Sequence, residues 1–295
     1  MNIFKPEYLY RPQQIPLRIS RQWRRLLTTQ QQVEMPWRLP LQVNVSETVG
    51  RAIWYLGVYD LVVSECLWRL TENGDTAVDA GANIGYMTSI LALRCGSGGN
   101  VFSFEPHPMI AKALIANVQL WQGKKIAVCN VCEKALSSEV GHANLTIPED
   151  FAKNEGVAFL SNGQSQQGEK QLGKSIEVEK TTIAHAFAGR EIGILKVDVE
   201  GHELALFQGA EAHLREKRIR DIVFEDHRAY PTEPMQYLET FGYTLFRLKR
   251  SFSGPVMTDA KLDHELPQWE PPNILATCQP ERARKLMAAR GWQVL

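Results

Sequence analysis

Thr76-Ala-Val-Asp79-Ala-Gly81-Ala-Asn83-Ile-Gly85-Tyr86 is the stretch on which the reading of this chain turns. A short apolar run ends in a carboxylate at Asp79. Glycines follow at 81 and 85, and then apolar residues fall at helical spacing: Ile84, Met87, Ile90, Leu91 and Leu93. This pattern predicts a strand, a tight glycine turn and the start of a helix. Such a turn lets a ligand lie against bare backbone at the carboxyl end of a strand.

The same alternation continues outward. Strands are expected at Asn100–Glu105, Ile126–Val131, Ile192–Asp198, Ile219–Asp226, Gly242–Lys249 and Ile274–Thr277. Helices are expected at Asp60–Leu70, Gly85–Arg94, Pro106–Gln119, His202–Leu214, Glu233–Phe241 and Pro280–Arg290. Ala143–Ile147 and Ser175–Val178 read as a hairpin, and the polar stretch 150–174 between them as a lid or a disordered segment. Ahead of Asp75, residues 33–58 read as a small β preface that includes Arg51–Gly57. Ile19, Trp23, Leu26 and Leu27 predict an amphipathic helix with Arg18, Arg21 and Arg25 on another face. Its apolar face would pack on its own domain or on a dimer partner; a membrane surface or an anionic substrate is the alternative. Strands alternating with helices imply a mostly parallel α/β sheet covered on both faces. The expected division is 1–74 as arm and preface, and 75–295 as the main domain.

Bulk composition limits the rest. The 295 residues are 44% apolar and 22% charged, as in ordinary globular proteins. Lys plus Arg and Asp plus Glu both number 33, so the basic excess of a nucleic-acid binder is absent. No apolar run approaches the ~20 residues of a membrane span. The N-terminus lacks a signal-like apolar region, and five scattered cysteines suit reduced thiols; both point to the cytoplasm. Cys129 and Cys132 form a lone C-x-x-C with no second pair for zinc, so they read as buried small hydrophobes.

Three carboxylates end strands: Asp79, Glu105 and Asp198. Asp79-x-Gly81-x-x-x-Gly85 is not the dinucleotide fingerprint, because an acid stands where the first glycine would be. A pyrophosphate would be repelled there, which argues against a nicotinamide-dependent oxidoreductase, whereas an ammonium or sulfonium would be attracted. Glu105 suits a ribose diol. A nucleoside joined to a cationic amino acid is S-adenosylmethionine. The second constellation is Lys196-Val-Asp198-Val-Glu200-Gly-His202-Glu203. Alternation puts Lys196 and Asp198 on one face. Helix capping explains one acid, but not Asp198, Glu200 and Glu203 together; such crowding raises a pKa and suits a base. A hard divalent cation is the other use for these oxygens. The third is Phe224-Glu225-Asp226-His227, where His227 is a candidate base or substrate contact.

Together VDAGANIGYMT, FSFEPHP, ILKVDVEGHELALFQGA and IVFED resemble the FkbM family of S-adenosylmethionine-dependent methyltransferases. The resemblance runs from about residue 35 to 250. It implies a seven-stranded class I (Rossmann-like) methyltransferase sheet with its last strand antiparallel. It also implies methyl transfer to a hydroxyl of a sugar, glycan or secondary metabolite. Carried over, Asp79, Gly81, Asn83 and Gly85, with Ala82 beside them, would hold the methionine part. Glu105 and Pro106 would hold the ribose, and Ala135 would line the adenine. Asp198 and Glu200 would face the methyl group. Apart from the resemblance, Asp198 or Glu200, helped by His227, is expected to deprotonate or orient the acceptor hydroxyl, and no metal is expected. The family's usual Thr-Leu-Asp is Thr182-Ile183-Ala184 here. A scaffold that keeps the pocket without catalysis is the rival from another class.

Overall fold

The computed structural model describes residues 6–12, 16, 21, 28–147, 159–160, 174–263 and 272–295. From the N-terminus, α1 (Pro6–Tyr10) precedes a hairpin of β1 (Gln30–Glu34) and β2 (Pro40–Asn44). Next come α2 (Thr48–Leu56) and α3 (Leu61–Leu70). The sequence reading extends β structure through 51–57, but the chain there is helical. Glu47 caps α2 by accepting from the amides of Val49 and Gly50, and Gly57 ends it in the left-handed conformation. Val49, Gly50, Ile53 and Trp54 are buried at helical spacing, so capping and burial override the strand preference of the Ile-Trp-Tyr run.

The central sheet follows. Its strands are β3 (Thr76–Ala80), β4 (Asn100–Phe104), β5 (Val128–Cys132), β10 (Ile192–Val197), β11 (Ile219–Glu225), β12 (Thr244–Ser251), β13 (Gly254–Asp259) and β14 (Asn273–Thr277). Their spatial order is β13-β12-β14-β11-β10-β3-β4-β5. The run from β11 to β5 is parallel, and β14 inserts antiparallel between β11 and β12. Among the described residues the sheet therefore has eight strands where seven are expected. The extra one, β13, closes a hairpin on β12 at the sheet edge; its residues are mostly half-exposed and carry no apolar alternation. Residues along each strand alternate between two cores. Ala77, Ile194 and Val223 face one; Val78, Leu195 and Ile222 face the other.

Helices α4 (Tyr86–Cys95) and α5 (Pro108–Gln119) follow β3 and β4, and the preface packs on them. Trp37 donates to Ser89 Oγ at 3.0 Å, and Trp121 donates to the Pro40 carbonyl at 2.7 Å. A second sheet of β6 (Ala135–Leu136), β7 (Gly141–Ile147), β8 (Phe159–Leu160) and β9 (Lys174–Thr181) has the order β6-β9-β7-β8. The rest of the 150–174 stretch lies outside the described residues. So does most of the N-terminal amphipathic helix; its Arg21 is described and stacks on the Trp54 ring at 5.0 Å.

After β9, α6 (Ile183–Phe187) is capped by Thr182, which accepts from the His185 amide, while Ala184 is exposed. The helix expected over 202–214 is two: α7 (Glu203–Gln208) and α8 (Glu211–Arg215). They break at Gly209, where a Cβ would sit 1.9 Å from the Ser137 carbonyl oxygen, so another segment presses on the backbone there. Finally α9 (Glu233–Thr240) leads into β12, and α10 (Pro280–Met287) packs on α3. Among the described residues no helix is long and apolar enough to cross a membrane.

Candidate active site

Chain order reverses between β3 and β10, so the loops at their carboxyl ends part and leave a crevice. A cavity of about 380 Å³ fills it, within the range of small-molecule sites. One wall is the glycine turn. Gly81, Asn83 and Gly85 all have positive φ (71°, 49° and 93°), which bends the chain sharply enough to bare its backbone. A Cβ at Gly81 would meet the Asp198 carbonyl oxygen at 1.9 Å, so the turn and the second constellation touch, and only glycine fits between them.

Asp79 lies behind this wall. Its carboxylate is fully buried and does not line the cavity. Oδ2 accepts from Thr88 Oγ1 at 2.7 Å, and Oδ1 lies 3.2 Å from Lys196 Nζ. Direct contact between Asp79 and a cationic ligand is therefore replaced by an internal ion pair. Lys196 also donates to the Gly81 carbonyl at 2.8 Å and lies 3.5 Å from Asp198 Oδ2. Burial opposes its charge, yet Asp79 and Asp198 outweigh that and its pKa is raised. The lysine thus ties strand β3, the glycine turn and Asp198 together.

Glu105 closes the turn from the other side. Its oxygens accept from the amides of Asn83 at 3.0 Å and His107 at 2.9 Å. Burial pushes its pKa up to about 7 in spite of those hydrogen bonds. Ala82, Pro106 and Ala135 line the same cavity, and Asp198, Glu200 and His227 line it opposite. Of the residues that the sequence reading assigns to catalysis or cofactor binding, all line this cavity except the recessed Asp79 and Gly85, whose α-carbon faces Leu114 and Trp121.

Glu200 has a left-handed φ of 48°, an unfavourable conformation for a residue with a Cβ. Burial, with Asp198 and Glu203 nearby, pushes its pKa up to about 7. Glu225 ends β11 and is pushed up to about 8 by burial and by Asp198, Asp60 and Glu200. Its Oε1 lies 2.9 Å from Nε2 of the exposed His227. Asp226 turns away to hold Arg228 and Thr232, while His202 binds Ser137 Oγ through Nε2 at 2.9 Å and leaves the main cavity to its neighbours.

Asp60, Asn273 and Tyr59 also line the cavity, and the sequence reading missed Asp60 and Asn273. Asp60 caps α3 through the Val63 amide and accepts from Asn273 Nδ2 at 3.1 Å. Burial pushes it up to about 6. An aspartate directly before an apolar helix reads as a cap, and the cap is real; nothing local shows that it also faces a cavity.

A glycine turn at the first strand end, an acid at the second, and a reversed strand inserted near one edge define the class I methyltransferase fold. Residues 79–245 match the model of the methyltransferase FkbM domain, and the chain belongs to that family. Comparison with the curated proteins finds no match. Among solved structures, an S-adenosylmethionine-dependent O-methyltransferase from Thermotoga maritima is similar at 16% identity and TM-score 0.40, covering 75% of this chain and 65% of that one. This chain thus spans just under two thirds of that protein. M. jannaschii TYW2 in complex with AdoMet is similar at 13% identity and TM-score 0.40 over 84% and 85% of the two chains. Aeropyrum pernix fibrillarin with bound S-adenosyl-L-methionine is similar at 14% identity and TM-score 0.37 over 73% and 74%. Likenesses this low say nothing of substrate.

The residues present fit S-adenosylmethionine, the cofactor that the family and fold imply. The turn residues Gly81, Ala82 and Asn83 line the cavity, and the buried carboxylate of Glu105 stands beside them.

Proposed function

We propose that this protein transfers a methyl group from S-adenosylmethionine to a hydroxyl of a sugar, glycan or secondary metabolite. The observation that supports this reading is the gathering of Asp198, Glu200, Glu225 and His227 on the cavity wall that faces the glycine turn. When bound, S-adenosylmethionine supplies an electrophilic methyl group on a sulfonium whose leaving group is a neutral thioether.

The chain's own work is binding, positioning and proton removal. Glu105 would accept from the ribose hydroxyls. The backbone of Gly81, Ala82, Asn83 and Gly85 would hold the methionine part, with Asp79 acting through Lys196. Pro106 and Ala135 would flank the adenosine. Asp198, held by Lys196, orients the acceptor hydroxyl. Glu200 takes its proton as the oxygen attacks, a role suited to a carboxylate whose affinity for protons is matched to neutral pH. His227, paired with Glu225, is placed to pass that proton to solvent, since its side chain is 76% exposed.

Calorimetry with S-adenosylmethionine and S-adenosylhomocysteine, followed by transfer of labelled methyl to a panel of hydroxylated glycosides, tests the reading. Micromolar cofactor binding and label on oxygen are expected. No affinity for either nucleoside would overturn it. An Asp198→Asn variant that binds the cofactor and turns over at the full rate would remove Asp198 from the chemistry.

A further inference from the structure

S-adenosylmethionine carries an α-ammonium on its methionine part. Asp79 is withdrawn behind the glycine turn, so the balance of that charge falls to another acid. The described acids on the cavity wall are Asp60, Glu105, Asp198, Glu200 and Glu225. Glu105 accepts from the amides of Asn83 and His107, and Asp198 is matched by Lys196 at 3.5 Å. Glu200 and Glu225 are pushed up to about 7 and about 8, so neither presents a full charge near neutral pH. Asp60 differs from all of these. Its partners are neutral: Oδ1 accepts from the Val63 amide at 3.1 Å, and Oδ2 from Asn273 Nδ2 at 3.1 Å. Lys196 acts on it at longer range but is itself paired with Asp79 and Asp198. Pushed up only to about 6, Asp60 is mostly ionised near neutral pH. A desolvated carboxylate in that state is costly until a cation joins it.

We infer that Asp60 binds the α-ammonium of the cofactor's methionine part, while the backbone of the glycine turn holds the rest of that part. The inference rests on the methyltransferase reading above. The fold sets Asp60 beside the turn. The Tyr59 amide donates to the hydroxyl of Tyr86 at 3.0 Å, and the two rings meet edge to face with centroids 6.2 Å apart. Ser64 Oγ lies 3.1 Å from the same hydroxyl. Tyr86 is the residue directly after Gly85, so the start of α3 is docked on the start of α4 where the glycine turn ends. Asp60 itself has a left-handed φ of 38°, a conformation that costs a residue with a Cβ and that these contacts hold in place. From the other side, Asn273 at the start of β14 steers its carboxylate. An ammonium there donates a charge-assisted hydrogen bond and supplies the missing positive charge.

The test is calorimetry on the full chain with three ligands: S-adenosylmethionine, S-adenosylhomocysteine, and the analogue of S-adenosylhomocysteine that lacks the amino group. Asp60→Asn keeps a helix cap that tolerates the left-handed backbone and removes only the charge. Asp60→Gly, which takes that backbone freely, stands in if the asparagine variant does not fold. Either variant should bind S-adenosylmethionine and S-adenosylhomocysteine roughly tenfold or more weakly than the unaltered chain. The deaminated analogue should bind the unaltered chain weakly, and the substitution should leave its affinity unchanged. Unchanged affinity for S-adenosylhomocysteine, or an equal loss for it and the deaminated analogue, would make Asp60 a purely structural cap and overturn the inference. A loss confined to S-adenosylmethionine would place Asp60 at the sulfonium instead and also overturn it. In those cases S-adenosylhomocysteine still binds the unaltered chain, and the methyltransferase reading survives. If neither nucleoside binds the unaltered chain, both fail.

Discussion

Lys196 Nζ lies 3.2 Å from Asp79 Oδ1, joining neighbouring strands beneath the floor of the cavity. Both groups are buried, so each charge depends on the other. Lys196→Met should leave Asp79 ionised without its partner and cost about 3–5 kcal/mol. Urea unfolding would measure the loss. Asp79→Asn/Lys196→Met should be more stable than Lys196→Met alone, because it removes the stranded charge.

Gly81→Ala forces a left-handed alanine against the Asp198 carbonyl. Backbone strain and overpacking together should cost about 2–4 kcal/mol. Cofactor affinity should fall with it, since the turn and the Asp198 segment would have to part. Calorimetry on the folded fraction would show this; an alanine variant with unchanged affinity would mean that the two segments need not touch.

Glu105, Glu200 and Glu225 are held at about 7, about 7 and about 8, against 4.5 for an ordinary glutamate. The folded chain thus keeps protons that the unfolded chain has already lost. By linkage, its stability falls as pH rises from 4.5 to about 8. Thermal melts across this window should show the decline, and Glu225→Gln should flatten it. Methyl transfer should rise with pH over the upper part of the same window, as Glu200 loses its proton.

Glu65 in α3 pairs with Arg69 Nε at 2.5 Å and accepts from the amides of Gln293 and Val294, each at 2.9 Å. Arg69 in turn donates to the carbonyls of Met287, Ala289 and Gly291. This buried pair clamps the C-terminal residues on the core. Glu65→Ala should cost about 3–5 kcal/mol by stranding the arginine. Limited proteolysis should then cut near residue 290 before the core is lost.

Much of the site is legible in the sequence because strand ends and glycine turns are local features. Asp79, Gly81, Gly85, Glu105 and Asp198 each stand where an apolar run stops, and in a parallel sheet such stops share one edge. Helix α2 was not legible, because its Ile-Trp-Tyr run favours strands and its cap is a glutamate. The break at Gly209 was not legible either, since it answers to the Ser137 carbonyl pressing from another segment.

The sequence alone determined the strand–turn–helix order, the acid at each strand end and, through them, the cofactor class. Only the tertiary structure decided which acids face the ligand. Asp79 is withdrawn to hold Lys196, while Asp60 is brought to the cavity beside Asn273, 213 residues away along the chain. The reason is physical. Periodicity fixes which face a side chain takes, but the partner that neutralises a buried charge comes from whichever strand packs alongside, and that pairing is written only in the sheet order.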